Sequence, residues 1–252
     1  MTFARSDVEH LYGRHSVSEA LRAGRRVRRV LLAPGSHGLD ALVSEASRRR
    51  IPIDHVDRRR LDQLAGSDHH QGVVAEADPF GYVHPGDLLD RRAEPPLLLA
   101  LDSLQDPQNF GTLLRTALAV GVSGVILPEH RAVSVTPAVS NASAGAVEHL
   151  RVARVTNLAR ALRDLKAAGV WVFGLSVGVH QAYSDADLAG PLALVVGSEG
   201  SGLGRLVRET CDVHVRIPMQ PDSIESLNAS VAGSLVLYEA FHQRSGRYPA
   251  RL

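Results

Sequence analysis

The run Leu97-Leu98-Leu99-Ala100-Leu101 decides how the longer part of this chain folds. It is apolar at every position, which is typical of a strand that is covered on both faces inside a parallel sheet. Further apolar segments of strand length lie downstream and alternate with helical stretches. The predicted strands are residues 125–127, 170–175, 192–196 and 213–217, and the predicted helices include residues 111–119 and 158–168. This alternation predicts an α/β fold with a parallel sheet.

Upstream, residues 12–77 alternate short helices and strands on a smaller scale. Helices are predicted at residues 17–23, 39–50 and 58–64, and strands at residues 27–32, 53–56 and 72–77. The stretch that follows, as far as Pro95-Pro96, is rich in proline, glycine and charge, as linkers are. We therefore expect an N-terminal α/β domain at residues 1–78, a linker at 79–96 and a second domain at 97–252.

The composition is that of a globular protein with two domains, since 44% of the 252 residues are apolar and the formal charge is +1. No apolar run approaches the roughly 18 residues of a membrane span, and residues 1–10 lack the apolar segment of a signal peptide. We expect a cytoplasmic protein without a membrane partner. The single Cys211 excludes an internal disulfide and is expected to be a structural apolar thiol. The twelve histidines lack ligand spacing, so no metal is expected.

Arginine supplies almost all of the positive charge, because Lys166 is the one lysine among 28 basic residues. Four short arginine clusters lie in the first quarter of the chain: Arg25-Arg26, Arg28-Arg29, Arg48-Arg49-Arg50 and Arg58-Arg59-Arg60. Planar guanidinium groups suit phosphates and stacked bases, so the clusters favour an RNA-binding surface. The alternative is a solvated charged face.

Polar residues follow two of the predicted strands directly, at the sheet edge where parallel sheets bind ligands. After the first strand, the chain leads through Asn109 into a helix that carries Arg115. We expect Asn109 to cap this helix and Arg115 to be partly buried about one turn further on. After the strand at 192–196 comes Gly197-Ser198-Glu199-Gly200, whose glycines allow close approach of a ligand. It fits neither a P-loop nor the dinucleotide fingerprint.

The last such segment is Ile217-Pro218-Met219, which is followed after a polar loop by Ser226-Leu227-Asn228. The helix that begins there has small or polar residues over its first turns, as far as Gly233. Small residues allow another backbone or a ligand to come close, and the polar ones bring donors and acceptors. The alternative is tight helix packing below a polar cap.

Together these segments resemble the three motifs of the SpoU/TrmH family of RNA 2′-O-ribose methyltransferases, within the SPOUT superfamily. The segments that carry the resemblance are Asn109-x-Gly111-x-x-x-Arg115, Gly197-Ser198-Glu199-Gly200, and Ile217-Pro218-Met219 with Ser226-Leu227-Asn228. The resemblance extends to residues 143–149 and, in the first domain, to His70-Gln71-Gly72. The two-domain form is similar to the 23S ribosomal RNA guanosine enzymes, whose N-terminal domain resembles a large-subunit ribosomal protein that binds RNA.

The resemblance implies a catalytic domain with a trefoil knot, a homodimer, and S-adenosyl-L-methionine as the cofactor. By analogy, Gly197, Ile217, Met219 and Leu227 hold the cofactor. Arg115 occupies the catalytic position of the family, and Asn109, Glu199, Ser226 and Asn228 orient the reacting groups. A free guanidinium stays protonated at neutral pH, so Arg115 is expected to stabilise the developing alkoxide or to act jointly with the target phosphate.

Three other functions remain open at this point. The substrate could be a transfer RNA or another ribosomal RNA site, or the protein could be a non-catalytic RNA-binding or ribosome-assembly factor on the same fold. A nucleotide-binding oxidoreductase is disfavoured by the missing fingerprint. One departure from the family is the six-residue loop from Gln220 to Glu225, where Pro221 replaces a flexible residue and five residues are usual. We expect different cofactor contacts there.

Overall fold

The computed structural model describes residues 8–89, 95–130, 132–220 and 226–247, of which residues 246 and 247 are described by their backbone alone. The chain divides into two compact units. Unit 1 comprises Met1–Gly81 with Val135–His149, and unit 2 comprises Tyr82–Ser134 with Leu150–Leu252. The division differs from the expected one in that residues 135–149 pack with the N-terminal unit. Residues 82–89 of the expected linker pack in unit 2, where Leu88 is buried in the core.

Unit 1 contains, within its described residues, a four-stranded sheet in the order β1-β4-β2-β3. Its strands are β1 (Glu9–Tyr12), β2 (Val27–Leu32), β3 (Ile53–His55) and β4 (Val73–Ala77), and its first helices are α1 (Arg14–Arg22), α2 (Asp40–Arg48) and α3 (Arg58–Ala65). Because β4 runs antiparallel to β1 and β2, and β3 runs parallel to β2, the first three strands point the same way. We call the edge where they end the carboxyl edge of unit 1, and the opposite edge its amino edge.

Helix α5 (Pro137–Ala142) packs against strand β1, one of the two edge strands of this sheet. The hydroxyl groups of Ser140 and Ser16 form a hydrogen bond with their oxygens 2.7 Å apart, and the Asn141 amide donates to the main-chain oxygen of Tyr12 at 3.1 Å. In the same segment, the buried Glu148 carboxylate accepts from Arg25 at 2.9 Å. Burial raises the pKa of Glu148, and Arg25 opposes that shift. Residues 135–149 therefore complete unit 1 through buried polar contacts.

Unit 2 contains, over the ranges described, a six-stranded and fully parallel sheet in the order β10-β8-β9-β5-β6-β7, which confirms the predicted α/β class. Its strands are β5 (Leu97–Leu101), β6 (Gly124–Pro128), β7 (Val152–Val155), β8 (Trp171–Leu175), β9 (Leu192–Val196) and β10 (Val213–Val215). Every residue of β5 is buried, as its continuous apolar run requires. Strand β10 ends before the predicted Ile217, because Arg216 bonds through its main chain to the neighbouring segment, with Tyr183 N donating to its oxygen at 2.9 Å.

The helices that accompany this sheet include α4 (Pro107–Ala119), α6 (Leu158–Ala167), α7 (Arg205–Thr210) and α8 (Ala229–Arg247). Helix α8 packs on α4 and β9 through its small residues. A Cβ atom on Gly233 would lie 3.0 Å from side-chain carbons of both Leu113 and Val196. The hydroxyl groups of Thr116 on α4 and Ser234 on α8 form a hydrogen bond, with their oxygens 2.8 Å apart. The small residues at the start of α8 thus allow close helix packing. The knot stays a prediction, because residues 221–225 lie outside the described residues.

Cys211 is a structural thiol, as expected. Its sulfur donates to the main-chain oxygen of Val207 at 3.3 Å, and burial raises the pKa of the thiol to about 12, with the Asp212 charge adding to the shift. The thiol therefore stays protonated and inert near neutral pH. In the part of the chain that the structure describes, no three His, Cys, Asp or Glu side chains stand close enough to hold a metal ion. No helix found there has the length and apolarity needed to cross a bilayer.

Candidate active site

A cleft of about 340 Å³ lies at the carboxyl ends of the adjacent strands β5 and β9. Its lining residues come from the two loops that follow these strands, residues 103–106 and 198–201. Both loops were expected to carry ligand-binding residues because parallel strands end at the same edge of a sheet. The cleft therefore stands where the sequence predicts a site.

The loop after β9 is closed on itself. Main-chain hydrogen bonds of 3.1 and 3.0 Å join Ser198 and Gly202 in both directions, and the Ser198 and Ser201 hydroxyl oxygens lie 2.7 Å apart. Gly197 is buried beneath this loop, and a Cβ atom there would overlap the backbone carbonyl group of Gly202. Glycine is therefore required at Gly197 by the close approach of the loop, and the closed loop presents Glu199 outward.

Asp102 is a buried carboxylate directly after β5 that was not predicted as a site residue. One of its oxygens accepts from the main-chain N–H of Gly204 at 2.7 Å, at the point where helix α7 begins. Asp102 thus fastens the end of the glycine-rich loop to the end of β5. The sequence feature that could have indicated this role is the position of the aspartate, directly after a fully apolar strand.

A cluster of side chains joins the three predicted motifs. The Asn109 amide donates to Oε1 of Glu199, and the Asn228 amide donates to the same oxygen at 2.7 Å and to Oδ1 of Asn109 at 2.8 Å. Ser230, which was not predicted as a site residue, donates its hydroxyl to Oδ1 of Asn228 at 2.7 Å. We call Asn109, Glu199, Asn228 and Ser230 the amide cluster. It brings together residues that are as much as 121 positions apart.

The expectation that Asn109 caps helix α4 is wrong. Asp106 is the cap: its carboxylate accepts from the main-chain N–H groups of Gln108 at 3.2 Å and Asn109 at 3.0 Å. Pro107 occupies the first helical turn, where its fixed φ angle suits the helix and its missing N–H costs nothing. Because the cap is supplied by the earlier Asp106, the Asn109 side chain is left for the amide cluster.

Asn228 caps helix α8. Its Oδ1 atom accepts from the main-chain N–H groups of Ser230 at 2.9 Å and Val231 at 3.3 Å. The Asn228 side chain therefore caps the helix with its oxygen and donates to Glu199 with its amide nitrogen. Ser226, by contrast, is exposed and makes no hydrogen bond to a described residue, so it stands outside the cluster.

Arg115 is exposed, so the expected partial burial is wrong. The buried face of α4 carries Phe110, Leu113, Leu114 and Ala117, and Arg115 lies on the other side of the helix. It lies six positions after Asn109, which is about 9 Å along the helix axis. Among the described residues nothing forms a hydrogen bond or ion pair with its guanidinium group. Arg115 is therefore free to meet a ligand.

The four residues expected at the cofactor share one feature. The main-chain N–H and C=O groups of these residues make no hydrogen bond to any described part of the chain; they are Gly197, Ile217, Met219 and Leu227. Ile217 and Leu227 are half-buried, whereas Met219 is exposed. Free main-chain donors and acceptors beside half-buried apolar side chains suit the ring edge of an adenine. The residues present thus fit S-adenosyl-L-methionine, while residues 221–225 of the longer loop lie outside the described residues.

Comparison with known proteins gives the same family from sequence and from structure. Residues 96–238 match the family model described as the SpoU rRNA Methylase family, and residues 10–83 match the model for RNA 2′-O ribose methyltransferase substrate binding. The Bacillus subtilis protein YacO, whose name assigns it to the TrmH family of tRNA/rRNA methyltransferases, is 41% identical over 242 residues. The match covers 94% of this chain and 96% of that protein.

Two solved structures agree with this assignment. The SpoU methyltransferase AviRb from Streptomyces viridochromogenes has a TM-score of 0.80 at 28% identity, covering 96% of this chain and 92% of that one. An rRNA methyltransferase from Sinorhizobium meliloti with bound AdoMet has a TM-score of 0.78 at 25% identity, with 96% and 88% covered. The chain is therefore a member of the SpoU/TrmH family of RNA methyltransferases and uses S-adenosyl-L-methionine as its cofactor.

Proposed function

We propose that this protein methylates a ribose 2′-hydroxyl of RNA, at a guanosine of 23S ribosomal RNA. The observation that carries the proposal is the amide cluster, whose hydrogen bonds join the three family motifs. Asn109 of this cluster lies on helix α4, which also carries Arg115, unpaired among the described residues. When bound, S-adenosyl-L-methionine supplies an electrophilic methyl group. The main-chain groups of Gly197, Ile217, Met219 and Leu227 would hold it, since they are otherwise free.

Arg115 and Glu199 have different tasks in this proposal. A guanidinium stays protonated at neutral pH, so Arg115 donates hydrogen bonds to the ribose oxygen as negative charge develops on it, while an oxygen of the neighbouring RNA phosphate accepts the proton that the 2′-hydroxyl loses. Glu199 has one oxygen fixed by two amide donors. Its second oxygen remains an acceptor for a hydroxyl-bearing ligand such as a ribose. Asn109 and Asn228 orient Glu199, while Ser226 has no such contact among the described residues and would act only on a bound ligand.

A homodimer is the second part of the proposal. Helix α8 exposes an apolar stripe at the spacing of one helix face, formed by Val231, Leu235, Tyr238 and Phe241, and Leu118 of α4 is also exposed. Tyr238 is 53% exposed although it is a large aromatic residue. A contiguous apolar surface of this kind marks a protein interface, so we place the dimer contact on this stripe.

Leu235→Glu should convert the dimer to a monomer at micromolar concentration, because the interface would have to bury two unpaired carboxylates. Sedimentation velocity measures the change. The matched control is Leu206→Glu, which alters an exposed leucine on α7. Equal dissociation of both variants, or none, would rule out the α8 stripe as the contact.

Asn228→Ala should cost about 1 kcal/mol through loss of the helix cap, and should also slow methyl transfer because Glu199 loses a donor. Asn157→Ala is the matched control, since Asn157 caps α6 in the same way, accepting from Arg160 N at 3.0 Å. The melting temperature of both variants should fall by about 2–4 °C. Only Asn228→Ala should lose activity, and an equal loss in the control would show a purely structural role.

The substrate is tested by mapping 2′-O-methylation in ribosomal and transfer RNA from a deletion strain and from the same strain complemented with the intact gene. The proposal expects one ribosomal guanosine to lose its methyl group and regain it on complementation. Loss at a transfer RNA position would establish the alternative substrate. No change in either RNA would favour a non-catalytic role in RNA binding or ribosome assembly.

A further inference from the structure

Most arginines near the amino edge of unit 1 are already neutralised within the protein. Arg25 pairs with both Glu9 and Glu148, and its guanidinium lies 5.7 Å from the centre of the Phe80 ring. The other pairs at or near this edge are Arg28 with Asp78, Arg29 with Asp54 and Glu76, and Arg48 and Arg49 with Glu45. In three of the four arginine clusters, at least one arginine therefore forms an ion pair within the protein.

The carboxyl edge of unit 1 differs. Arg14 follows β1, and Arg58, Arg59 and Arg60 follow β3 on the first turn of α3, so all four lie at this edge. All four side chains are exposed, and none has an acidic partner among the described residues. The carboxylate of Asp57, which is nearby, is engaged as the cap of α3 and accepts from Arg60 N at 2.7 Å. The four guanidinium groups at this edge therefore form no ion pair with a described residue, while the exposed carboxylate of Asp40 lies at the same edge.

A cleft of about 290 Å³ opens at the same edge. Its lining comes from the loop between β2 and α2, residues 32–40, together with Val43 and His55. Gly35 and Gly38 have positive φ angles of 73° and 70°, and a Cβ atom on Gly38 would lie 2.9 Å from the Arg14 guanidinium. His37 and His55 are exposed at the cleft. The surface is thus concave at its centre, with arginines near it.

We infer that the carboxyl edge of unit 1 binds the RNA substrate, with Arg14, Arg58, Arg59 and Arg60 contacting its phosphates. Guanidinium groups that have no internal carboxylate partner are available for bidentate contacts with phosphate oxygens. The cleft follows β2, so it lies between the ends of β1 and β3, where these arginines stand. This inference rests on the proposed function, since it takes RNA as the partner, and it assigns the contact to one edge of the unit.

The test compares two triple variants with the same change in charge: Arg58→Ala/Arg59→Ala/Arg60→Ala at the carboxyl edge, and Arg48→Ala/Arg49→Ala/Arg50→Ala at the amino edge. The probe is a fluorescein-labelled single-stranded RNA of mixed sequence, about 20 nucleotides long, and binding to the full-length protein is followed by anisotropy at several salt concentrations. The carboxyl-edge variant should bind about tenfold or more weakly. The slope of log affinity against log salt should fall by about 2, since each phosphate contact on a single strand contributes about 0.7.

The amino-edge variant should change affinity less than twofold. Equal weakening of both variants, or stronger weakening at the amino edge, would overturn the inference. Circular dichroism and the melting temperature of both variants should match those of the wild-type protein, which shows that unit 1 is folded in each. Absence of methyl incorporation by the wild-type protein would contradict the proposed function alone, because the binding comparison does not depend on methyl transfer.

Discussion

Replacing Arg115 by alanine should lower the single-turnover rate of methyl transfer by about 10²- to 10³-fold at saturating S-adenosyl-L-methionine. This is the effect of removing one preorganised donor from a developing oxyanion. The structure gives the guanidinium no internal partner among the described residues and an exposed position, so its removal should leave the fold and the cofactor affinity unchanged. The rate is measured with a tritiated methyl group and an excess of enzyme over RNA.

Arg163→Ala is the control for this variant. Arg163 is also exposed, lies on α6 and has no acidic partner in the described part of the molecule. Its replacement should change the rate less than twofold. If Arg115→Ala retained a near-normal rate, the guanidinium would have no part in the chemical step, and a different group would have to stabilise the ribose oxygen.

Gly197→Ala should weaken cofactor binding at least about tenfold and lower the stability of unit 2 by about 1–3 kcal/mol. The added methyl group would overlap the backbone atoms of Gly202 and Leu203, so the loop that presents Glu199 would have to move. Calorimetric titration and thermal unfolding measure the two effects. Because Glu199 would move with the loop, methyl transfer should fall as well.

The same loop supplies the control. A Cβ atom on Gly200 meets nothing within 4 Å, so Gly200→Ala should keep both the cofactor affinity and the melting temperature. If both alanine variants had the same cofactor affinity and melting temperature, the close approach of the loop would not explain why residue 197 is glycine. An effect at Gly200 alone would instead point to a ligand that approaches the open side of the loop.

The sequence predicted the parts of this structure that depend on local pattern. The apolar run at Leu97–Leu101 and the strand Leu192–Val196 have the predicted bounds, because a buried parallel strand is apolar throughout and needs no partner information. The short strands β1 and β7, of four residues each, and helix α5 were not predicted. They are defined mainly by the elements that they pack against, and a local pattern does not contain that information.

Both errors at the site have local causes. Several polar residues precede α4, and the choice of Asp106 over Asn109 as the cap follows from the fixed backbone of Pro107 between them. Arg115 was expected to be partly buried from its sequence neighbours, but residues one or two positions apart do not share a helix face. The amide cluster joins residues of three distant segments, so only the resemblance to a family could group them before the structure did.

The proposed reaction places a methyl group on a ribose oxygen. Its most direct test is to incubate the wild-type protein with labelled S-adenosyl-L-methionine and unmodified ribosomal RNA, digest the RNA to nucleosides and identify the labelled product by mass spectrometry. We expect 2′-O-methylguanosine, formed by the wild-type protein and nearly absent with Arg115→Ala. A label on a nucleobase, or equal 2′-O-methylation by Arg115→Ala, would contradict it.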